Sequence, residues 1–180
     1  MRRDEVTTAI TQIVELPIPM RSRTPVAGFA ALYERHYEAV FRAALRVTGN
    51  PADAEDVLQT VFLRVMAGGG DVEEVALPAA YFRRAAVNAA VDVLRRRELR
   101  AESGYDPEAP FVAVRPQLDL KERLRRALAI LEREDATLFL LRHVEGLSIE
   151  ELAEMFQIEK NNVAVKLHRV RQRLQAEMNR

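Results

Sequence analysis

Asn162, Lys166, Arg169 and Arg173 follow one another at spacings of four, three and four, which lines them along one side of a helix. Asparagine can bond adenine through two hydrogen bonds, whereas lysine and arginine can bond guanine or neutralise a phosphate. A second row, Tyr81, Arg84, Asn88, Asp92 and Arg95, has the same helical spacing. Its ring can stack on an unpaired base, its guanidiniums can bind phosphate and its amide can pair with a base edge. That is chemistry for single-stranded nucleic acid. Arg96 and Arg97 extend the positive end of this row, although arginines at a helix end also serve the helix dipole. A third group is acidic: Glu55, Asp56 and Gln59 surround Leu63 and Met66. Apolar residues ringed by acids fit a protein-binding patch, or they pack on a neighbouring helix. Asp53 and Asp56 stand in a first helical turn, where the dipole accounts for them without a metal ion.

The first row requires the element Leu138–Leu174 to be a helix-turn-helix. Gly146 closes one helix, as the residue that takes positive φ without strain. Ser148 with Glu151 three positions on makes a capping box that starts a short helix at Ile149, lasting to about Met155. Phe156–Glu159 turns the chain into a final helix, Asn161–Ala176. Its stripe Val163, Leu167, Val170 and Leu174 packs inward, and the polar row lies one step around. Glu159, at its start, is expected close to the backbone N–H groups as a cap, because otherwise it would repel phosphate. In a helix-turn-helix the second helix enters the DNA major groove; the bland alternative is a helical hairpin with a solvated charged face.

Three earlier helices are legible. The first runs from about Phe29 to Val47, with Phe29, Leu32, Tyr33, Val40, Ala44 and Leu45 inward. Asn50 and Pro51 then cap and open the second, Pro51–Met66, whose broad inward face is Ala54, Val57, Leu58, Val61, Phe62 and Val65. The third, Ala79 to about Arg100, follows a glycine-containing loop and packs through Phe82, Ala86, Ala89 and Val93. Nothing reads as strand.

The chain has 180 residues and is 48% hydrophobic, enough for one modest core or two small ones. It has 27 basic and 27 acidic residues, but they are segregated. Residues 51–77 are acidic, whereas 78–100 and 157–180 are basic, which fits two nucleic-acid contacts and one different partner surface. There is no cysteine, hence no disulfide and no thiolate metal site. No apolar run is long enough to span a membrane, the first residues do not read as a signal peptide, and the cytoplasm is the expected location. His36, His143 and His168 are scattered, with no spacing for a metal or a nucleophile–base pair, and read as surface or boundary residues. The expectation is no enzyme, no cofactor and no metal. The expected fold is all-α: an N-terminal extension over 1–26, a helical domain over 27–100, a flexible linker over 101–117 and a second helical domain over 118–180.

In order along the chain, DAEDVLQTVFLRVM (53–66), AAYFRRAAVNAAVDVLRRR (79–97) and EGLSIEELAEMFQIEKNNVAVKLHRVRQRL (145–174) resemble bacterial sigma factors of the extracytoplasmic-function group. The resemblance covers about residues 28–100 and 118–178. It implies that the first block is region 2.2, binding the clamp helices of the RNA polymerase β′ subunit, with Asp53, Glu55, Asp56, Gln59, Phe62 and Leu63 matching. The second block then resembles regions 2.3 and 2.4, which melt and read the −10 element. Tyr81, Asn88, Asp92, Arg95 and Arg96 match, and Arg84 and Arg97 belong to the same ridge. The loop at about Ala67–Pro78 would hold a base flipped from the non-template strand. The third block resembles region 4, whose last helix reads the −35 element, here through Glu159, Lys160, Asn161, Asn162, Lys166, Arg169 and Arg173. Glu159 and Ala164 depart from the residues usual there. Core polymerase, duplex and melted promoter DNA and an anti-sigma factor are the implied partners. The competing reading is a stand-alone helix-turn-helix regulator with a helical sensing or dimerisation domain.

Overall fold

The computed structural model describes residues 26–67, 78–102 and 120–179. The extension, the loop expected to hold a flipped base and the linker fall almost wholly outside these residues. Every element among the described residues is a helix. They are α1 (Val26–Thr48), α2 (Pro51–Ala67), α3 (Pro78–Glu102), α4 (Leu120–Ile130), α5 (Arg133–His143), α6 (Ile149–Phe156) and α7 (Lys160–Met178).

Helix α1 turns inward Leu32, His36, Val40, Ala43, Ala44 and Val47, a helical stripe that includes a histidine. Gly49 ends it at φ +67°, with its N–H bonded to the Leu45 carbonyl at 2.8 Å. Asn50 then caps α2, its Oδ1 accepting from the Ala52 N–H at 2.8 Å. This satisfies one of the orphan donors of the first turn. The two helices therefore meet at a sharp corner and pack together against α3.

An aromatic cluster fills the space between them. The rings of Phe62 and Phe82 lie 5.5 Å apart and that of His36 lies 4.3 Å from Phe82. His36 is thus a buried core residue rather than a boundary histidine, only 6% exposed. Tyr33 departs from its expected inward position: its ring stacks on Tyr37 at the surface, with one edge against Phe62.

Helix α3 is the centre of the molecule. Phe82, Ala86, Ala89 and Val93 face α1 and α2, as their period demands, and all four are buried. Val87, Val91 and Leu94 are buried too. Val91 stands half a turn away from Phe82, so α3 has a second apolar side. Against it pack α4 and α5.

In the last four helices Gly146 adopts φ +75° after α5. Ser148 and Glu151 form the reciprocal capping box, with bonds of 2.7 and 3.1 Å. Gln157 takes the left-handed conformation at φ +53° and turns the chain between α6 and α7. Leu138, Leu141, Leu147 and Leu152 form the local core with Val163, Leu167, Val170 and Leu174.

Candidate nucleic-acid and polymerase interfaces

The outer face of α2 is open. Glu55, Asp56 and Gln59 are exposed, and between them Leu63 and Met66 are 63% and 56% exposed. The alternative in which these two side chains pack on a neighbouring helix is therefore not what the fold does. Two residues expected on this surface lie elsewhere. Phe62 is 4% exposed within the aromatic cluster, because around α2 it stands next to Leu58 and Val65, at the edge of the packed face. Asp53 is half-buried and forms an ion pair with Arg97 of α3.

The ridge on α3 is not a free solvent face, contrary to what its spacing led one to expect. Tyr81 is half-buried, edge-on to Phe82 at 5.5 Å. Burial raises its phenol pKa, against a smaller opposing pull from Arg64, and the hydroxyl stays neutral. Arg84 donates to the Met155 carbonyl at 2.6 Å and lies 4.5 Å from the centre of the Phe156 ring. Burial lowers its pKa and Glu134 opposes that; a guanidinium remains charged throughout the working range. The Asn88 Oδ1 accepts from the Thr137 hydroxyl at 2.6 Å. Asp92 pairs with Arg133 at 2.9 Å. Arg95 is half-buried, whereas Arg96 is exposed. The partners of Arg84, Asn88 and Asp92 all come from the last four helices, so tertiary packing covers what local periodicity displayed.

On α7 the outer side remains uncovered. Asn161, Asn162 and Arg169 are exposed. Lys160 pairs with Glu150 at 3.1 Å. Lys166 and Arg173 lie on the flank nearest α5, where Glu134 and Asp135 pair with them. The side directly opposite the buried stripe also carries Val165, 47% exposed, with His168 and Gln172. Sequence reasoning passed over Val165 and Gln172 because neither belongs to the charged row, although the period of the apolar stripe already placed them outward. Glu159 occupies the N-cap position but its carboxylate makes no cap hydrogen bond, so the expected capping role is not realised. A first turn with unfilled donors favours an anion.

Among the described residues no group of histidine, aspartate or glutamate could hold a metal ion. None of their helices is long and apolar enough to cross a membrane.

The Sigma-70 region 2 family matches residues 32–100, and the Sigma-70, region 4 family matches residues 121–174. The RNA polymerase sigma-E factor of Streptomyces coelicolor is 30% identical over 154 residues, spanning 85% of this chain and 87% of that protein. The ECF RNA polymerase sigma factor SigM of Mycobacterium tuberculosis is 27% identical over 147 residues, spanning 82% and 75%. Among solved structures, the sigma factor RpoE of Bartonella quintana, in complex with the anti-sigma factor NepR, shares the fold. Its TM-score is 0.50 over 86% of this chain and 98% of that one, at 22% identity. Two sigma regions in their proper order do not favour a stand-alone helix-turn-helix regulator. The chain belongs to the RNA polymerase sigma factors of the extracytoplasmic-function group, which bind core polymerase and direct it to promoters.

Proposed function

We propose that this sigma factor docks on the clamp helices of the polymerase β′ subunit through Glu55, Asp56, Gln59 and Leu63 of α2, with Met66 completing the patch. Phe62 and Asp53 act beneath it, holding α2 against α1 and α3. The ridge Tyr81, Arg84, Asn88, Asp92 and Arg95, with Arg96 and Arg97, meets the melted −10 strand. Helix α7 reads the −35 duplex through Asn161, Asn162 and Arg169, and Val165 supplies a methyl contact suited to thymine. Lys160, Lys166 and Arg173 hold phosphates. Residues 27–100 and 118–180 are the two working domains. The protein acts in the cytoplasm, catalyses no reaction and is held inactive by an anti-sigma factor.

The observation that carries the docking assignment is the uncovered pair Leu63 and Met66, set among acids on a helix whose other side is fully packed. Such a patch is stable in water only at a cost of about 25 cal/mol per Å² of apolar surface left wet. Asp56→Arg combined with Leu63→Ala should weaken co-purification with bacterial core polymerase at least about tenfold, a loss of about 1.4 kcal/mol. Helical circular dichroism should stay unchanged. Undiminished co-purification of a folded double variant would overturn the assignment.

A further inference from the structure

Among the residues given to the melted strand, Arg97 stands apart. Asn88 and Arg95 are seven residues apart, about two helical turns, and so share a side. Arg97 is nine residues from Asn88, about two and a half turns, and so lies opposite. Its own line runs through Ala86, Ala90 and Val93, all buried. Arg97 therefore continues the core stripe that faces α1 and α2. It also lies before the last turn of α3, where Arg100 is the base, so the helix dipole does not account for it.

What meets it there is Asp53. Helices α2 and α3 run antiparallel, with Phe62 against Phe82 along their length and Asp53 against Arg97 at the end. The Oδ2 of Asp53 is shielded from water, and the Arg97 guanidinium forms the ion pair with it. The Arg97 side chain is 39% exposed and that of Asp53 19%, the pattern of a long stem laid along apolar surface with its head turned to a shielded carboxylate. A guanidinium that left for a phosphate would strand that carboxylate without its counter-charge, which destabilises a shielded group. Arg96, one position earlier, is exposed and open to a strand.

We infer that Arg97 is a positioning residue of the −10 surface: it works through Asp53, from behind α3, and fixes the first turn of the polymerase-docking helix against the end of the strand-reading helix. The role rests on the reading of α3 as the −10 surface. The first turn of α2 leads directly into Glu55 and Asp56, and the end of α3 carries Arg95 and Arg96. The ion pair therefore sets the angle at which a polymerase-bound chain presents its guanidiniums to DNA.

The salt dependence of promoter binding separates the two duties open to an arginine. Holoenzyme assembled from core polymerase and the full chain binds a forked promoter with an unpaired −10 segment, selected beforehand from a randomised library with the unaltered protein. Arg96→Ala should reduce the slope of log affinity against log salt by about 0.7, the value for one single-strand phosphate. Arg97→Ala should leave that slope unchanged while slowing open-complex formation at least about fivefold. Asp53→Asn should cause the same delay, and the double variant no more than either single one, since one contact is lost in all three. Arg97→Lys, which can still reach Asp53, should recover most of the rate. A slope lowered by Arg97→Ala overturns the inference, as do losses that add in the double variant.

A second measurement involves no DNA. The chain has no cysteine, so Ala52→Cys and Leu99→Cys, both exposed, give unique sites for nitroxides flanking the pair. Arg97→Ala should raise the fraction of long distances at least about threefold, with helical circular dichroism unchanged. An unaltered distribution overturns the inference. If Asn88→Ala and Arg96→Ala leave opening and slope intact while the distances still respond to Arg97→Ala, the failure belongs to the reading of α3.

Discussion

Helices α3 and α7 are built alike, each with an apolar stripe on one side and a row of asparagine and arginine on another. In α7 the row lies along the solvent side, with Lys166 and Arg173 paired to α5; in α3 it lies under three other side chains and a backbone carbonyl. The difference comes from what stands beside the row. Around α7 the residues opposite the stripe are Asn161, Val165, His168 and Gln172, too polar as a set to attract another layer. Around α3 they include Val87, Val91 and Leu94, all buried. A polar row next to a second apolar strip is drawn into an interface, and its polar atoms must then find partners there. A polar row next to polar neighbours stays in water. Helix α3 is therefore packed on both sides, whereas α7 keeps one side in water.

The largest expected effect tests what the two helices share. Phe82→Ala and Leu167→Ala each empty a buried stripe position and should cost about 3–5 and about 2–5 kcal/mol respectively. Urea unfolding reads this directly. A loss below about 1 kcal/mol at either site would break the symmetry between the inward sides.

The outward sides should differ in kind. Tyr81→Ala and Asn88→Ala should impair thymine exposure at the −10 element, with stacking loss alone on the order of 1–3 kcal/mol for the tyrosine. Duplex binding should hardly change. Asn162→Ala and Val165→Ala should instead alter which −35 sequence is preferred, by up to about 1–3 kcal/mol of discrimination per contact. Arg169→Ala should weaken all sequences together and reduce the salt slope by about one. Permanganate footprinting and a randomised −35 library at two salt concentrations separate these patterns. Uniform loss across sequences for Asn162→Ala would make that residue a positioning group.

The smallest effect concerns His36, which stacks on Phe82 beneath the α3 ridge. Burial, and secondarily Arg35, lowers its pKa from the ordinary 6.5, so the folded protein keeps it neutral. Unfolded chain binds the proton more readily, and stability present above pH 6.5 is lost as pH falls below it. His143 shifts in the same direction and will supply a background slope. His36→Phe should flatten the fall in urea midpoint between about pH 7.5 and about pH 5. An undiminished slope would place the proton uptake elsewhere.

What the sequence displays is what neighbouring residues settle among themselves. Ser148 and Glu151 satisfy each other's backbone within one turn, Asn50 does so for α2, and Gly146 needs only its own freedom of φ. Val163, Leu167, Val170 and Leu174 are legible because one partner layer takes all four. Less legible are contacts between distant segments. Nothing near Arg84 announces Met155 and Phe156, and nothing near Asn88 announces Thr137. The signal that was present, Val87 and Val91 on the side away from Phe82, was outweighed by Arg84, Asn88 and Arg95 beside them. Phe62 likewise has the chemistry of a contact residue and the helical angle of a core one, and the angle prevails. His36 was hidden by its type, although Leu32, His36 and Val40 share one period.

The valine strip on α3 also bears on how long an unemployed copy of this protein lasts. Any parting of α4 and α5 from α3 would bring Val87, Val91 and Leu94 into water together. Such a surface is what chaperones and proteases engage. Turnover would then follow how often those helices part from α3.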